Sequence, residues 1–225
     1  MCGRFVQQYA PEIPERFGAT PTPAAQQLVL TPRYNVAPTQ AIAAVVEPAA
    51  GARVVDALRW GLEPRRGGGK ALTIFNARAE TLLERPMFRR LVPSRRCLVP
   101  ADGFFEWERV GGARVPWLYR LADGEPFAFA GLYDRWTGPD GAEVVACTVL
   151  TTAPNELVAP VHNRMPVILP RELEAEWLDP GLTDPQALLP FLQSYPAARM
   201  ERYAVSTAVN SSRVDDPTLI QPVAA

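Results

Sequence analysis

The sequence predicts an α+β domain built on a curved, mainly antiparallel sheet, partly barrel-like, with short helices at its periphery. Three observations predict it: strand-like runs outnumber helical ones, successive strands have hairpin-length connections, and 24 prolines and 15 glycines keep the elements short. A doubly wound parallel sheet would instead alternate its strands with long crossover helices. At 225 residues and 48% hydrophobic content the chain can bury one sizeable core. No repeat or linker divides it, so residues 1–225 are expected to form a single domain.

Taken in order, Pro11 to Phe17 predicts a short helix, and a Pro/Thr-rich connector follows. Arg33 to Thr39, with turn chemistry at Asn35 and Pro38, predicts an ordered loop. Ala41 to Glu47 and Arg53 to Trp60 predict two strands around a Gly-containing turn. Pro64 to Gly69 reads as a basic glycine loop without the strand, lysine and hydroxyl order of a phosphate-binding P-loop. Asn76-Ala77-Arg78-Ala79-Glu80-Thr81 leads into a helical stretch expected through about Leu91. Strands follow at Arg96 to Pro100, Gly103 to Glu108, Trp117 to Leu121, Phe127 to Trp136 and Val144 to Thr152. The last quarter predicts helices at Pro154 to Ala159, Arg171 to Trp177 and Pro185 to Leu192, then a strand near Tyr203 to Ser206.

Composition narrows the function classes. A net charge of -1 argues against a generic electrostatic nucleic-acid binder. Lys70 is the only lysine, so the positive charge is almost all arginine, a bias that a GC-rich genome also produces. Well-placed arginines still grip phosphate through two parallel hydrogen bonds. Three cysteines without framework spacing give neither a disulfide scaffold nor a metal signature, and Cys97 and Cys147 lie in apolar strand-like runs expected to be core. Neither a signal peptide nor a run long enough to span a bilayer is visible, which points to the cytoplasm.

The chemistry centres on Met1-Cys2-Gly3-Arg4-Phe5. Removal of Met1 is favoured by the small second residue, and it would leave Cys2 with a free amine and a thiol on adjacent carbons. With an aldehyde, such an exposed aminothiol forms an imine and then closes sulfur onto the same carbon, giving a thiazolidine without a cofactor. The terminal amine titrates near ~7.7–8.0, so a useful fraction is nucleophilic at neutral pH. A positive neighbour such as Arg4 would lower the thiol pKa. The competing reading is an ordinary small residue after the initiator.

His162 is the only histidine, at a turn before the apolar run Val167 to Leu169, so any imidazole acid/base work falls on it. In an extended Gly103 to Glu108 run, Glu106 shares a face with Phe104, opposite Phe105 and Trp107. Apolar surroundings would raise its pKa and fit it for proton transfer near neutrality. Asn76 and Arg78 would share a face if extended, pairing an amide with a guanidinium suited to a sugar hydroxyl and a phosphate.

These stretches, together with Arg33-Tyr34-Asn35-Val36-Ala37-Pro38, Trp60-Gly61-Leu62, Asn76 to Thr81, Pro100 to Trp107 and His162-Asn163-Arg164-Met165-Pro166, occur in an order that resembles the SOS-response-associated peptidase (SRAP) family. The resemblance runs from Cys2 to the closing Leu219 to Val223. It implies a DNA-damage protein that captures abasic sites in single-stranded DNA through a thiazolidine on its terminal cysteine, with possible self-removal of Met1. It implies Cys2 as nucleophile, Asn76 orienting the amine or sugar, and Glu106 and His162 handling protons. Arg4, Arg78 and Arg164 would face phosphates, Trp107 would stack on a base, and Thr151 would be a further polar position near the site. Three such phosphate contacts on single-stranded DNA would give a salt slope on the order of -2. No metal or cofactor is implied, no membrane is involved, and a monomer, nucleoid-associated when bound to DNA, is expected. One departure stands out: Arg65-Arg66 and three glycines replace the tryptophan usual in the family's loop after Trp60-Gly61.

Two rivals stay open. An amino-terminal-nucleophile hydrolase of the amidotransferase type also begins Met-Cys-Gly, and a noncovalent reader of modified single-stranded DNA would use Trp107 and the arginines without bond formation.

Overall fold

The structure, a computed structural model, describes residues 2–63, 73–138 and 141–223; the glycine loop at 64–69 and its Arg65-Arg66 departure lie outside the described residues. In chain order the strands are β1 (Phe5–Gln7), β2 (Thr20–Pro21), β3 (Arg33–Val36), β4 (Ala41–Val46), β5 (Val54–Trp60), β6 (Asn76–Arg78), β7 (Arg96–Ala101), β8 (Gly103–Val110), β9 (Ala113–Leu121), β10 (Phe127–Thr137), β11 (Glu143–Thr152), β12 (Met165–Pro166), β13 (Ile168–Leu169) and β14 (Met200–Ala204). The helices are α1 (Ile13–Phe17), α2 (Gln26–Leu30), α3 (Pro86–Arg89), α4 (Glu174–Leu178) and α5 (Pro185–Leu188). This is the α+β architecture expected.

One sheet runs β14-β9-β8-β1-β3, with every neighbour antiparallel. The other follows β12-β11-β10-β7-β4-β5-β2, and a parallel pairing of β5 with β11 (Ala146 opposite Arg59, Cys147 opposite Trp60) closes five of its strands into a ring. That closure pairs the end of β5 that β2 does not reach with the part of β11 that β12 does not reach, so neither is left as an open edge there.

Alternation along the ring strands sends residues to two cores. On one face Ala43, Val45, Leu98, Ala130 and Leu150 pack with Phe17, Phe88, Trp177 and Leu188 of the helices. On the other, Ile42, Leu58, Trp60, Val99, Phe129 and Val149 pack with Cys2, Phe5, Phe104 and Tyr119 of the first sheet. Phe5 sits edge-on to Trp60 and Phe129, with ring centroids at 5.1 and 5.8 Å. Full burial of such a phenylalanine contributes ~1.5–3 kcal/mol, so the segment that begins with Cys2 is anchored by its own hydrophobic residue.

The strands expected between Ala41 and Thr152 are present, several of them longer than expected. β8 and β9 extend to a two-residue turn at Gly111 and Gly112, whose φ values of 56° and 86° match the positive-φ requirement of a tight hairpin. Four local expectations need correction. Arg33 to Val36 is a strand, because it pairs with β1 and because the Asp215 carboxylate accepts from the backbone N–H groups of Tyr34 and Asn35. The helical stretch expected between Thr81 and Leu91 shrinks to the short α3, because Arg85, preceding Pro86, is extended; the segment that leads into it, Asn76–Arg78, pairs in parallel with β11. Pro154 to Ala159 forms turns, with the Asn155 side chain accepting from Leu157 N and Val158 N. The last strand lies at Met200–Ala204, earlier than Tyr203 to Ser206, because it pairs along β9 from Leu121 to Trp117.

Candidate functional site

Four elements converge on Cys2. β1 places it beside β8, through Phe5 opposite Phe104. β6, held against β11, presents Asn76, whose Nδ2 donates to the Cys2 carbonyl at 2.8 Å. Asn76 Oδ1 is buried and accepts no hydrogen bond from the described residues. The Cys2 side chain is fully buried, its Sγ 3.8 Å from the Arg4 carbonyl. Burial pushes the thiol well above its ordinary pKa, and the charge of Glu106 adds to the effect. The expected lowering by the Arg4 guanidinium does not occur, because that group points elsewhere.

Glu106 projects from β8 with 4% exposure, on the face that carries Phe104 into the core. Phe105 and Trp107 fall on the opposite face, packed with Val6 and Leu118. Burial raises the Glu106 pKa, while the fields of His162 and Arg114 pull it back toward the charged form. His162 lies in the turn before β12. Its Nδ1 is 3.0 Å from Arg164 N and 3.1 Å from Arg164 O, which anchors the ring through that nitrogen in either tautomer. Glu106, Trp107, His162 and Arg4 line an open cavity of about 830 Å³, together with Arg109 and Arg114 of the β8–β9 hairpin.

The arginines expected at phosphates divide into two kinds. Arg4 donates to Asn35 Oδ1 and the Val209 carbonyl, both at 2.8 Å, and to the Asn210 carbonyl at 3.3 Å. Arg164 makes a bidentate pair with Glu80 at 2.7 and 2.8 Å and also donates to the Thr151 carbonyl. That pairing holds the Glu80 carboxyl below its ordinary pKa. Thr151 is fully buried and its hydroxyl donates to the Ala77 carbonyl, so it presents no group to a ligand in this conformation. Arg78, at the end of β6, is exposed. Trp107 is half-buried; its Nε1 donates to Asn210 Oδ1 at 2.6 Å, and the Arg114 guanidinium lies 5.6 Å from its ring centroid.

Residues 1–212 match the profile of the SOS response associated peptidase (SRAP) family. The chain belongs to the SRAP family. It is 46% identical over 193 residues to the abasic site processing protein YoqW of Bacillus subtilis, covering 84% of this chain and 86% of that one. Against the abasic site processing protein YedK of Escherichia coli it is 29% identical across 99% of this chain and all of that one. A protein of known structure from Bacteroides thetaiotaomicron superposes with a TM-score of 0.86 at 26% identity, covering 99% of this chain and 100% of its own.

Within this SRAP chain the structure brings Cys2 and Asn76 into contact and sets Glu106 and His162 on one cavity. It ties Arg4 and Arg164 into the protein. Sequence reasoning missed Asn35, Glu80, Arg114 and Asn210. Asn35 and Glu80 stood inside quoted motifs, but their partners lie 31 and 84 residues away in sequence. Among the described residues no group of three or more His, Cys, Asp or Glu is placed to hold a metal ion, and no helix is long and apolar enough to cross a membrane.

Proposed function

We propose that this SRAP chain captures abasic sites in single-stranded DNA covalently, through a thiazolidine formed by Cys2 once Met1 is removed. The observation that carries the reading is the hydrogen bond from Asn76 to the Cys2 carbonyl, beside a buried carboxyl whose charge reaches the Cys2 thiol. A sulfur held in that frame cannot wander, so amine, thiol and aldehyde meet in a fixed geometry.

The abasic deoxyribose opens from its closed hemiacetal to an aldehyde as Glu106 and His162 take the proton of the anomeric hydroxyl and deliver one to the departing ring oxygen. The Cys2 amine adds to the aldehyde and water leaves, its oxygen protonated by Glu106, to give a protonated imine and a deprotonated Glu106. The Cys2 thiol then adds to the imine carbon, its proton passing to Glu106 while the carbon–nitrogen bonding pair stays on nitrogen, and the ring closes. Burial raises the Glu106 pKa, which favours the protonated form that can give a proton to the leaving oxygen. The raised pKa of the thiol means that sulfur needs a base at the moment of attack, and deprotonated Glu106 supplies it. Removal of Met1 exposes the amine; self-cleavage by the same thiol is the route we assign to it.

The test is the intact mass of the purified protein before and after mixing with an abasic oligonucleotide. Wild type should lack Met1 and gain one oligonucleotide, stable to denaturing electrophoresis. Cys2→Ala should form none, and Glu106→Gln should slow capture at least ~100-fold. Binding without an adduct would replace this reading with a noncovalent reader. Glutaminase turnover without an adduct would replace it with an amidotransferase-type hydrolase.

A further inference from the structure

Two cations at the cavity have no role in the reading above. Arg109 on β8 and Arg114 on β9 are directly opposed across the hairpin, both are exposed, and both line the cavity that holds Glu106 and His162. Neither makes an ion pair or a side-chain hydrogen bond with another described residue; Arg114 rests over Trp107 instead. Glu108 also lines the cavity but forms no ion pair with either of them. Like charges directly opposed on a ladder weaken it, so the hairpin carries a local cost that an anion between the two guanidiniums would remove. Arg4 and Arg164 differ from this pair in having their donors committed to Asn35, Val209, Asn210, Glu80 and Thr151.

We infer that Arg109 and Arg114 form a clamp for the phosphodiester backbone of single-stranded DNA, gripping a phosphate adjacent to the sugar presented to Cys2. The inference rests on the proposed function and adds its binding register: the strand enters over the hairpin, with Arg114 between a phosphate and the Trp107 ring. Planar guanidiniums suit this task because each grips phosphate oxygens through two parallel N–H groups. The twin-glycine turn at Gly111 and Gly112 closes the hairpin just beyond this pair, so both arginines sit near its tip and on the wall of the cavity.

The experiment compares wild type, Arg109→Gln/Arg114→Gln and Arg199→Gln, an exposed-arginine control away from the cavity. Fluorescence anisotropy with an undamaged single-stranded oligonucleotide, across a salt series, reads the clamp whether or not capture occurs. For the double variant we expect affinity about tenfold weaker at low salt and a salt slope shallower by roughly 1.4, two contacts at ~0.7 each. Arg199→Gln should match wild type. With an abasic oligonucleotide, the half-saturating DNA concentration of the double variant should rise about tenfold while its rate at saturation stays within about twofold of wild type. An unchanged slope and affinity would overturn the clamp. Displacement of the oligonucleotide by micromolar inorganic phosphate at fixed ionic strength would assign the pair to a free phosphate and overturn the DNA assignment. The Tm of the double variant should equal or exceed that of wild type, because a repulsion is removed; a fall of several degrees would make the pair structural and overturn the inference too. Failure of the covalent reading shows separately, as wild type that binds the undamaged strand and never forms an adduct.

Discussion

Asp102, in the turn between β7 and β8, makes a pH-dependent staple whose loss can be measured. Its Oδ2 accepts from Gln8 N at 2.6 Å and Tyr9 N at 3.3 Å, and its own N–H donates to the Val6 carbonyl at 2.9 Å. Oδ1 is buried without a partner among the described residues. The turn therefore ties the far end of β1, the strand that begins near Cys2, to the start of the strand that carries Glu106. Burial raises the Asp102 pKa to about 7; the Tyr9 and Gln8 N–H groups lower it, and Glu12 raises it further. An unfolded aspartate titrates near ~3.9. Between that pH and 7 the folded state keeps a proton the unfolded state has lost, so stability falls as pH rises through the window and levels off above it. At ~1.4 kcal/mol for each pH unit of the window, the fall is on the order of 4 kcal/mol at most. Glu106 acts in the same direction, so the measurement is the difference between wild type and Asp102→Asn in urea unfolding from pH 5 to pH 8. At pH 5 the variant should lie within about 1 kcal/mol of wild type, because its amide is nearly isosteric with the protonated carboxyl and its oxygen still accepts from Gln8 N and Tyr9 N. Its stability should also fall less steeply with pH. Parallel pH profiles for the two proteins would refute the assignment of the proton to Asp102.

Two further predictions follow from single contacts. Asn76→Ala leaves the Cys2 carbonyl without its donor, a loss of ~1–3 kcal/mol in the order of that segment; single-turnover adduct formation at saturating DNA should slow about 10- to 100-fold. Gly103→Ala would set a Cβ 2.9 Å from both the Tyr119 carbonyl oxygen and Leu118 Cδ1, and because the carbonyl belongs to a paired strand it cannot step aside. The urea midpoint should fall by the equivalent of ~1–3 kcal/mol.

The parts of the fold legible in the sequence are those whose partners are close in sequence. β7 to β11 follow one another, each carries apolar residues on both faces, and glycines or prolines mark their turns. β3 and β6 were not legible as strands. Turn residues mark the first, and the second opens a run of good helix formers; both are strands because a distant partner takes up their backbone groups, β1 and Asp215 in one case and β11 in the other. The site divides along the same line. Position alone singled out Cys2, and alternation along β8 gave the buried face of Glu106. The Asn76 contact to Cys2 spans 74 residues and could be named only through the family resemblance. Charge reasoning about the thiol failed because the Arg4 guanidinium is turned away to Asn35 and Val209, and burial of the sulfur sets the direction of its shift.

The first few residues of a chain are ordinarily among its least ordered, yet here Cys2, Phe5 and Gln7 are each tied to other elements. Gln7 bonds through its side chain to the Ala43 backbone on β4 and the Pro100 carbonyl on β7, Phe5 wedges between Trp60 and Phe129, and Asn76 holds Cys2 from β6. β1 is thus hydrogen-bonded within one sheet while its side chains are fastened to the other. Fixing the segment costs roughly 1–2 kcal/mol of backbone entropy per residue, and the fold meets that cost when it forms, before any DNA arrives. A nucleophile prepared in this way gives up little further freedom on ring closure, so its rate should depend on how DNA is positioned and little on how the terminus is found. That is why phosphate contacts at the β8–β9 hairpin should move the DNA concentration dependence of capture, and contacts to Cys2 its limiting rate.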